Sequence, residues 1–315
     1  MTSNPLVSII IPVYNGSNYM REAIDSALAQ TYKNIEVIVV NDGSTDNTEE
    51  IALSYGDRIR YLRKENGGVS SALNLGIKEM KGDYFSWLSH DDVYFPEKVE
   101  KEVEALCKFN DDRTIALCGS IQINKTSDVI QNSKNNRYLS VQCVNSWDVS
   151  LLALIKSGSF NGCALLIPKK ALIEAGGFEE SLRFSQDFLM WAKILLQKFN
   201  LVYISKPYVK NRVHDGQLTQ RGKILFYSDT LCITKQLYDP LMMASSKYNF
   251  IFIFSLYLAK YYCKDSLKLV LRKNKDDKVL SLSERLRIKI VAFYGSIRPF
   301  IRRMYYKFFK KVKTK

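Results

Sequence analysis

The segment "YFSWLSHDDVYFPEK", residues 84–98, is the part of the chain on which the fold prediction depends most. An apolar run ends abruptly at Ser89-His90-Asp91-Asp92, and Pro96 then indicates the first turn of a helix. Two adjacent carboxylates repel each other, and burying them is costly unless a cation accompanies them. The pattern therefore predicts a buried strand whose carboxyl end carries acidic side chains to water or to a positively charged ligand.

Similar apolar runs alternate with segments of helical periodicity through the first 120 residues. Continuous apolar strands that alternate with helices are typical of a mostly parallel sheet with helices on both faces, so the predicted fold class is α/β and Rossmann-like. Beyond this part, residues 122–138 are polar and predict a loop or hairpin, and residues 179–199 predict one helix or a pair of helices. The predicted strands are 6–12, 34–41, 58–64, 83–89 and 114–120, and the main predicted helices are 17–31, 67–82 and 95–110.

Three of the predicted strands end in polar residues: "PVYNG" at 12–16, "NDGSTDN" at 41–47 and "SHDD" at 89–92. In open parallel sheets, ligands bind beyond the carboxyl ends of the strands. These three polar ends should therefore lie close together, and this places the two aspartates at a ligand site.

The 315 residues carry a formal net charge of +14, while the 46% hydrophobic and 25% charged content is that of an ordinary globular protein. Residues 281–315 contain eleven basic residues and one acidic residue, so this tail accounts for +10 of the total. Basic residues mixed with Ile, Phe and Tyr are typical of segments that bind anionic membrane surfaces, and a solvated tail is the alternative. We therefore predict two domains, 1–222 and a helical, basic, membrane-associating region at 223–315.

The cysteines predict a reducing compartment, because none of the six belongs to a CxxC motif and most lie in apolar contexts that suit buried free thiols. The chain begins without a basic, apolar signal sequence, and its longest later apolar run, 250–259, is about half a membrane span. The predicted location is cytoplasmic, with the protein peripheral on the inner face of the plasma membrane. The six are Cys107, Cys118, Cys143, Cys163, Cys232 and Cys263.

Five motifs in a fixed order, spread over residues 5–220, resemble those of the family 2 glycosyltransferases of the GT-A fold. The resemblance implies a GT-A sheet and an inverting transfer of one sugar from a nucleotide-diphosphate sugar. The motifs are "VSIIIPVYNGSNYMREAIDSALAQTY", "EVIVVNDGSTDNT", "ENGGVSSALNLGIKEMKGDYFSWLSHDD", "AGGFEESLRFSQDFLMWAKI" and "NRVHDGQLT".

The resemblance also implies a set of donor-binding residues. Tyr14 and Asn15 would lie beside the nucleotide base, which Asp42 would hydrogen-bond. Backbone amides at the start of a helix suit phosphate or sugar oxygens, as at Gly67. Taken alone, the residues around Asp42 and Gly67 also fit turns that bind nothing. The predicted donor-binding residues are Pro12, Tyr14, Asn15, Asp42, Asn66, Gly67, Ser71, Asp91 and Arg212.

A metal site is implied where "SHDD" aligns with the Asp-x-Asp motif of the family, although Ser89 replaces the first aspartate. Asp91 is the predicted ligand, Asp92 supports it, and His214 completes the metal site or contacts phosphate. Mg²⁺ or Mn²⁺ prefers oxygen ligands and takes some of them from the phosphates of the substrate. The ion would neutralise the leaving diphosphate.

Asp187 is the predicted catalytic base, because "SQDF" aligns with a Glu-Asp pair of the family, with Gln186 in place of the glutamate. An inverting transfer needs one base to accept the proton of the acceptor hydroxyl. Phe184, Phe188 and Trp191 would raise the pKa of Asp187 by desolvation. A carboxylate that only stabilises the start of a helix is the alternative interpretation.

The predicted function is transfer of one sugar, from a UDP-sugar in preference to a dTDP- or GDP-sugar, to a hydroxyl of a lipid-linked glycan in surface polysaccharide biosynthesis. Two alternatives stay open: transfer to a polyprenyl phosphate, and an inactive protein that only binds sugar nucleotides. Nucleic acid is not a predicted partner, because the chain contains no recognition motif for it.

Overall fold

The computed structural model describes residues 4–132, 136, 138–217, 223–244, 248–260, 267, 269–273, 280–281, 284–285 and 288–289. The chain divides into two compact units, Met1–Leu225 and Phe226–Lys315.

The first unit is built on one sheet. Its strands lie in the order β3-β2-β1-β4-β9-β6-β10-β5, with β7 beside β6 and β8 beside β10. The strands are β1 Val7–Val13, β2 Ile35–Asn41, β3 Arg60–Arg63, β4 Tyr84–Trp87, β5 Val93–Tyr94, β6 Thr114–Ile123, β7 Val129–Gln131, β8 Val144–Asn145, β9 Leu165–Pro168 and β10 Asn200–Arg212.

The part of the sheet formed by β3, β2, β1 and β4 is parallel throughout, as predicted. Beyond it, β9 runs antiparallel to both β4 and β6, while β6 and β10 pair in parallel. The α/β class is therefore confirmed, but the sheet is more mixed than the sequence suggests. The reason is that a short, fully buried apolar strand such as β9 carries no pattern that reveals its direction.

The helices of the first unit follow the predicted order. Helix α3 packs on β1, and Gly76 allows the close approach, because a Cβ there would lie 2.5 Å from Cγ2 of Ile10. Ile10 itself is fully buried in the core under this helix. The helices are α1 Met20–Leu28, α2 Thr48–Leu53, α3 Val69–Glu79, α4 Lys98–Phe109, α5 Trp147–Ser157, α6 Lys169–Glu174 and α7 Gln186–Leu196, with 3-10 turns at Gly56–Arg58 and Gly162–Ala164.

Two helix starts differ from the prediction. Helix α4 begins at Lys98, two residues after Pro96. Residues 179–185 are not helical, and α7 begins only at Gln186. Asn74 of α3 explains the second difference, because its side chain donates to the carbonyl oxygen of Phe178 (2.9 Å) and accepts from the amide of Phe178 (2.9 Å). The segment before α7 is thus held at Phe178 against α3, and it reaches Gln186 through turns and bends.

The described part of the second unit includes helices α8 Lys223–Met243, which begins just before the boundary of the unit, and α9 Phe250–Lys260. Within the described residues, no helix has the length and apolar character needed to cross a bilayer. Residues 290–315, which hold most of the basic tail, lie outside the described residues. The predicted membrane association of this region therefore stays a prediction.

The thiols only partly match the prediction. Cys118 and Cys163 are buried, whereas Cys143 is exposed and Cys107 and Cys232 are half-buried. All five are free, and Cys263 lies outside the described residues. Cys143 departs from the expectation because it lies in the irregular segment before β8, away from the sheet core.

A buried ion pair lies beneath the sheet next to β4 and β5. The ammonium of Lys98 is 2.8 Å from Oε2 of Glu102, and both side chains are fully buried. Lys98 also donates to Oγ of Ser86 (2.6 Å) and lies over the ring of Tyr94. Burial raises the pKa of Glu102 from 4.5 to about 7, although the nearby ammonium lowers it. Burying the two charges costs free energy, and the attraction between them offsets this cost only while both residues are present.

Replacing one member of this pair should destabilise the protein more than replacing both. We expect Lys98→Met to lower the free energy of unfolding by about 3 kcal/mol at pH 8, because it leaves Glu102 buried without its cation. The double variant Lys98→Met/Glu102→Leu should recover most of that loss. Chemical denaturation followed by circular dichroism measures both, and a double variant as unstable as the single one would contradict the explanation.

The same group predicts a pH dependence. Because Glu102 keeps its proton to higher pH in the folded chain than in the unfolded chain, its contribution to stability is lost as the pH rises from 4.5 to about 7. The deficit of Lys98→Met should accordingly be smaller at pH 6 than at pH 8.

Candidate active site

The carboxylate of Asp42, directly after β2, organises one corner of the site. The residue is only 2% exposed. Its Oδ1 accepts hydrogen bonds from Nζ of Lys64 (2.8 Å) and the amide of Gly67 (2.9 Å), and its Oδ2 accepts one from the amide of Gly68 (2.7 Å). Asp42 therefore holds the Gly67-Gly68 turn at the start of α3.

The turn interactions expected of "NDGSTDN" are made by residues other than Asp42. Oδ1 of Asn41 accepts from the amide of Ser44 (2.8 Å), and Oδ1 of Asp46 accepts from the amide of Thr48 (3.1 Å). Asn41 and Asp46 therefore stabilise the loop, while the carboxylate of Asp42 bonds the Gly67-Gly68 turn.

The residues predicted beside the base follow β1. Pro12 is buried within β1, whereas Tyr14 is 49% exposed. Asn15 has a φ of 49°, its amide donates to Oγ of Ser44 (2.9 Å), and its Oδ1 accepts from the amide of Thr45 (2.8 Å). The structure thus joins the loops after β1 and β2, and it leaves the ring of Tyr14 open to solvent.

The glycine turn before α3 is tightly packed. A Cβ on Gly67 would lie 2.8 Å from both Nζ of Lys64 and Oγ of Ser71. Asn66 is exposed at the same turn. Oγ of Ser70, a residue only 2% exposed in the first turn of α3, has no hydrogen-bond partner in the described part of the chain. The structure therefore brings Asn66, Gly67 and Ser71 together at one helix start, and their predicted contacts with the donor stay predictions.

Asp91 and His214 are brought together from distant parts of the chain. Nε2 of His214 lies 3.0 Å from Oδ2 of Asp91, and the side chains are 12% and 13% exposed, respectively. Nε2 of the Gln217 side chain donates to the same carboxylate oxygen at 3.4 Å. His90, in contrast, lies against Gly16, where an added Cβ would meet its ring at 2.5 Å.

Asp92 is directed elsewhere. Its carboxylate accepts hydrogen bonds from the amide of Arg212 (2.9 Å), Nδ2 of Asn211 (2.9 Å) and the thiol of Cys163 (3.3 Å). Burial and the charge of Asp91 raise the pKa of Asp92 to about 7. Across the described residues, no three acidic, histidine or cysteine side chains group as metal ligands. The three donors occupy the carboxylate of Asp92 in this structure, and its predicted supporting role at the metal site stays a prediction.

Arg212 is almost completely buried, at 1% exposure. Nε donates to the carbonyl oxygen of Asp91 (2.9 Å), Nη1 donates to Oγ of Ser127 (3.0 Å), and Nη2 pairs with the carboxylate of Glu22. The guanidinium also lies over the ring of Tyr19. Its donors are thus directed at protein groups, which gives Arg212 a positioning role, and its predicted contact with the donor stays a prediction.

Asp187 lies in the first turn of α7 and is partly buried. Its Oδ2 accepts a hydrogen bond from Oγ of Ser159 (2.8 Å), and its Oδ1 accepts one from the amide of Phe188 (2.7 Å). Burial raises the pKa of Asp187, which is the direction predicted from its aromatic neighbours, while the bond from Ser159 lowers it. Beside it, Oε1 of Gln186 is buried and has no hydrogen-bond partner among the described residues.

Sequence reasoning missed three residues near this site: Ser159, Glu22 and Arg183, whose Nη1 lies 2.8 Å from the point that a Cβ on Gly68 would occupy. Each is distinguished by a contact with a residue far away in the chain, and although Glu22 and Arg183 lie within two of the quoted motifs, nothing in those motifs marks them. Glu22, for example, is an ordinary acidic residue in the first turn of α1. Only its approach to Arg212, 190 positions later, distinguishes it.

Comparisons with known proteins agree with this architecture. A profile of "Glycosyl transferase family 2" matches residues 8–160. An uncharacterized glycosyltransferase of Rickettsia prowazekii is 46% identical over 264 residues, which cover 82% of this chain and 81% of the relative. The chain belongs to glycosyltransferase family 2. The predicted family and enzyme class are thereby confirmed.

Solved structures of glycosyltransferases share the fold. S. aureus TarS 1-349 in complex with UDP-GlcNAc superposes with a TM-score of 0.66 at 20% identity, covering 91% of this chain and 79% of TarS. The mannosyltransferase PcManGT of Pyrobaculum calidifontis, in complex with GDP-Man and Mn²⁺, gives a TM-score of 0.58 at 16% identity and covers 96% and 83%. At these identities the likeness establishes the fold alone, and the GT-A prediction is confirmed.

Proposed function

We propose that this family 2 glycosyltransferase moves one sugar, with inversion, from a UDP-sugar to a hydroxyl of a lipid-linked glycan in surface polysaccharide biosynthesis. The observation that carries the proposal is the placement of three separate carboxylates on loops and helix starts of the first unit. Asp42 follows β2, Asp91 follows β4, and Asp187 begins α7. TarS and PcManGT, which share the fold, hold UDP-GlcNAc and GDP-Man.

The hydrogen bonds of Asp42 favour uracil or thymine over guanine. A carboxylate has about four lone-pair sites, and three donors already occupy Asp42. One remaining acceptor site suits the single N3–H of uracil or thymine. The edge of guanine offers an N–H and an amino group together, which would require two free acceptor sites.

Asp91 and His214 fit a divalent cation. A carboxylate oxygen and an imidazole nitrogen on neighbouring side chains are two protein ligands, and Mg²⁺ or Mn²⁺ takes further oxygens from substrate phosphates. When bound, such a cation neutralises negative charge on the diphosphate. The hydroxyl of Ser89 is a weaker ligand than the carboxylate usual in the family, so fewer protein charges hold the cation here.

Asp187 is the base of the proposed reaction. It accepts the proton of the acceptor hydroxyl while that oxygen forms a bond to the anomeric carbon and the bond to the diphosphate breaks. Ser159 holds the carboxylate in one orientation, and burial raises the pKa of Asp187 towards that of an effective base. Attack opposite the leaving group gives the inverted product.

The lipid-linked acceptor is supported by the basic, aromatic residues of the tail, which suit an anionic membrane surface. Transfer to a polyprenyl phosphate is the alternative within the enzyme class, because an anionic acceptor needs a base less. An inactive sugar-nucleotide-binding protein is the alternative outside it, because Ser89 and Gln186 replace carboxylates of the family pattern.

Titration calorimetry of the full chain with UDP, dTDP and GDP, each with and without Mn²⁺, tests the donor. We expect UDP to bind about tenfold more tightly than GDP, in proportion to one unmet hydrogen bond of the guanine edge. Tighter binding of GDP would overturn the uridine preference. Absence of binding by all three nucleotides would overturn the proposed donor class.

A further inference from the structure

Arg183 lies over the glycine turn at the start of α3. Its Nη1 is 2.8 Å from the point that a Cβ on Gly68 would occupy, and the φ of Gly68 is +90°. Both conditions require glycine at this position. The irregular segment before α7, which Asn74 holds at Phe178, brings the arginine there.

The guanidinium of Arg183 is free to bind a ligand. Arg183 is exposed, and no hydrogen bond or ion pair joins it to another residue in the described ranges. Lys64, the other cation at this turn, is already paired with Asp42 at 2.8 Å. Of these two cations at the glycine turn, Lys64 is paired with the carboxylate of Asp42 and Arg183 is not.

Arg183 is connected to both ends of the proposed reaction, by its contact at Gly68 and by its place in the chain. On one side, Gly68 donates to Asp42, the proposed base-binding residue. On the other side, Arg183 precedes Asp187, the proposed catalytic base, by four positions of the same segment. In a nucleotide sugar, the diphosphate connects the nucleoside to the sugar that is transferred.

We propose that Arg183 binds the diphosphate of the donor and stabilises it as a leaving group. The inference rests on the proposed function, because it needs a nucleotide-diphosphate donor at this site. Negative charge grows on the diphosphate as its bond to the sugar breaks, and a guanidinium can donate two parallel hydrogen bonds to phosphate oxygens. Oγ of Ser70, which is buried without a partner in the described residues, lies in the first turn of the same helix and offers a further polar group.

This role also accounts for the altered metal motif. Ser89 removes one negative charge from the loop that holds Asp91, so the cation there is held by fewer carboxylates. The guanidinium of Arg183 would supply a positive charge to the diphosphate that needs no metal. The protein would then combine a two-residue cation site with a permanent cation.

Calorimetry with UDP, UMP and uridine in the presence of Mn²⁺ tests the proposal on Arg183→Gln, Arg183→Lys and a control. We expect Arg183→Gln to weaken UDP by about 10- to 100-fold, the usual effect of a charge-assisted hydrogen bond, and to leave uridine unchanged. Arg183→Lys should recover part of the loss, because lysine keeps the charge and loses the planar fork. Arg58→Gln, at the amino end of β3 and hence at the opposite edge of the sheet, should bind all three ligands like the wild type.

Three results would overturn the inference. UDP affinity unchanged in Arg183→Gln would show that the guanidinium does not reach the diphosphate. An equal loss for UDP and uridine would show that Arg183 only shapes the glycine turn. If the wild-type chain bound no nucleoside diphosphate, the proposed function would fail first, and this inference would fall with it.

Discussion

Asp187→Asn should lower kcat for glycosyl transfer by about a thousandfold, within the range that general-base catalysis contributes. Asparagine keeps the shape of the side chain and its contact with Ser159 but cannot accept the proton of the acceptor hydroxyl. UDP affinity should stay within about twofold of the wild type, because a base that acts on the acceptor adds nothing to donor binding. Steady-state kinetics and calorimetry on the same preparations measure the two quantities.

The pH profile provides an independent readout for Asp187. Because burial raises its pKa and the base must be unprotonated to act, the wild-type rate should fall as the pH is lowered through that raised pKa. Ser159→Ala removes a hydrogen bond that lowers the pKa of Asp187, so it should move this fall to higher pH. Asp187→Asn should lose the fall altogether.

The size of the loss of kcat in Asp187→Asn distinguishes a hydroxyl acceptor from an anionic one. A loss of kcat below about tenfold would favour an acceptor that is already anionic, such as a polyprenyl phosphate, because such an acceptor needs no base. A wild-type chain that binds UDP-sugars but transfers to no acceptor would favour the inactive binding protein.

Asp91→Asn should remove the effect of Mn²⁺ on both donor binding and transfer. The variant loses the charged ligand that adjoins His214, and we expect kcat/KM to fall by on the order of a thousandfold, which corresponds to several kcal/mol of charge stabilisation. Calorimetry of UDP with and without Mn²⁺ should give equal affinities for the variant, whereas the wild type should bind more tightly with the ion.

Asp92→Asn is the matched control for this measurement, because the same substitution at the adjacent residue alters a buried group. Asp92 accepts bonds from Arg212, Asn211 and Cys163, so the variant should melt at a lower temperature and still respond to Mn²⁺. Retention of the Mn²⁺ effect in Asp91→Asn, or its loss in Asp92→Asn alone, would contradict this assignment.

These two neighbours also show what the sequence can and cannot predict. The apolar run before Ser89 predicts a buried strand, and the polar residues after it predict a site, because both properties are local. That Asp91 faces His214 while Asp92 faces β10 depends on contacts with residues about 120 positions later. No pattern near residue 90 contains that information.

The conformation of the segment before α7 also depends on a contact with a distant part of the chain. Residues 179–185 resemble the start of an amphipathic helix, and intrinsic preference alone would extend α7 through them. Asn74 prevents this by supplying hydrogen bonds to Phe178 from another element. As a result, Arg183 lies over Gly68, and this contact is visible only in three dimensions.

The buried guanidinium of Arg212 has a consequence for protein engineering. It joins the carbonyl of Asp91, the hairpin turn at Ser127 and Glu22 of α1. A designer who exchanges the turn between β6 and β7 to alter acceptor preference would remove some of these partners and leave buried N–H groups unmet, which costs about 1–3 kcal/mol for each. The hairpin between β6 and β7 is therefore not structurally independent. A replacement hairpin must be introduced together with compatible residues at positions 22 and 212, which are Glu22 and Arg212 in this chain.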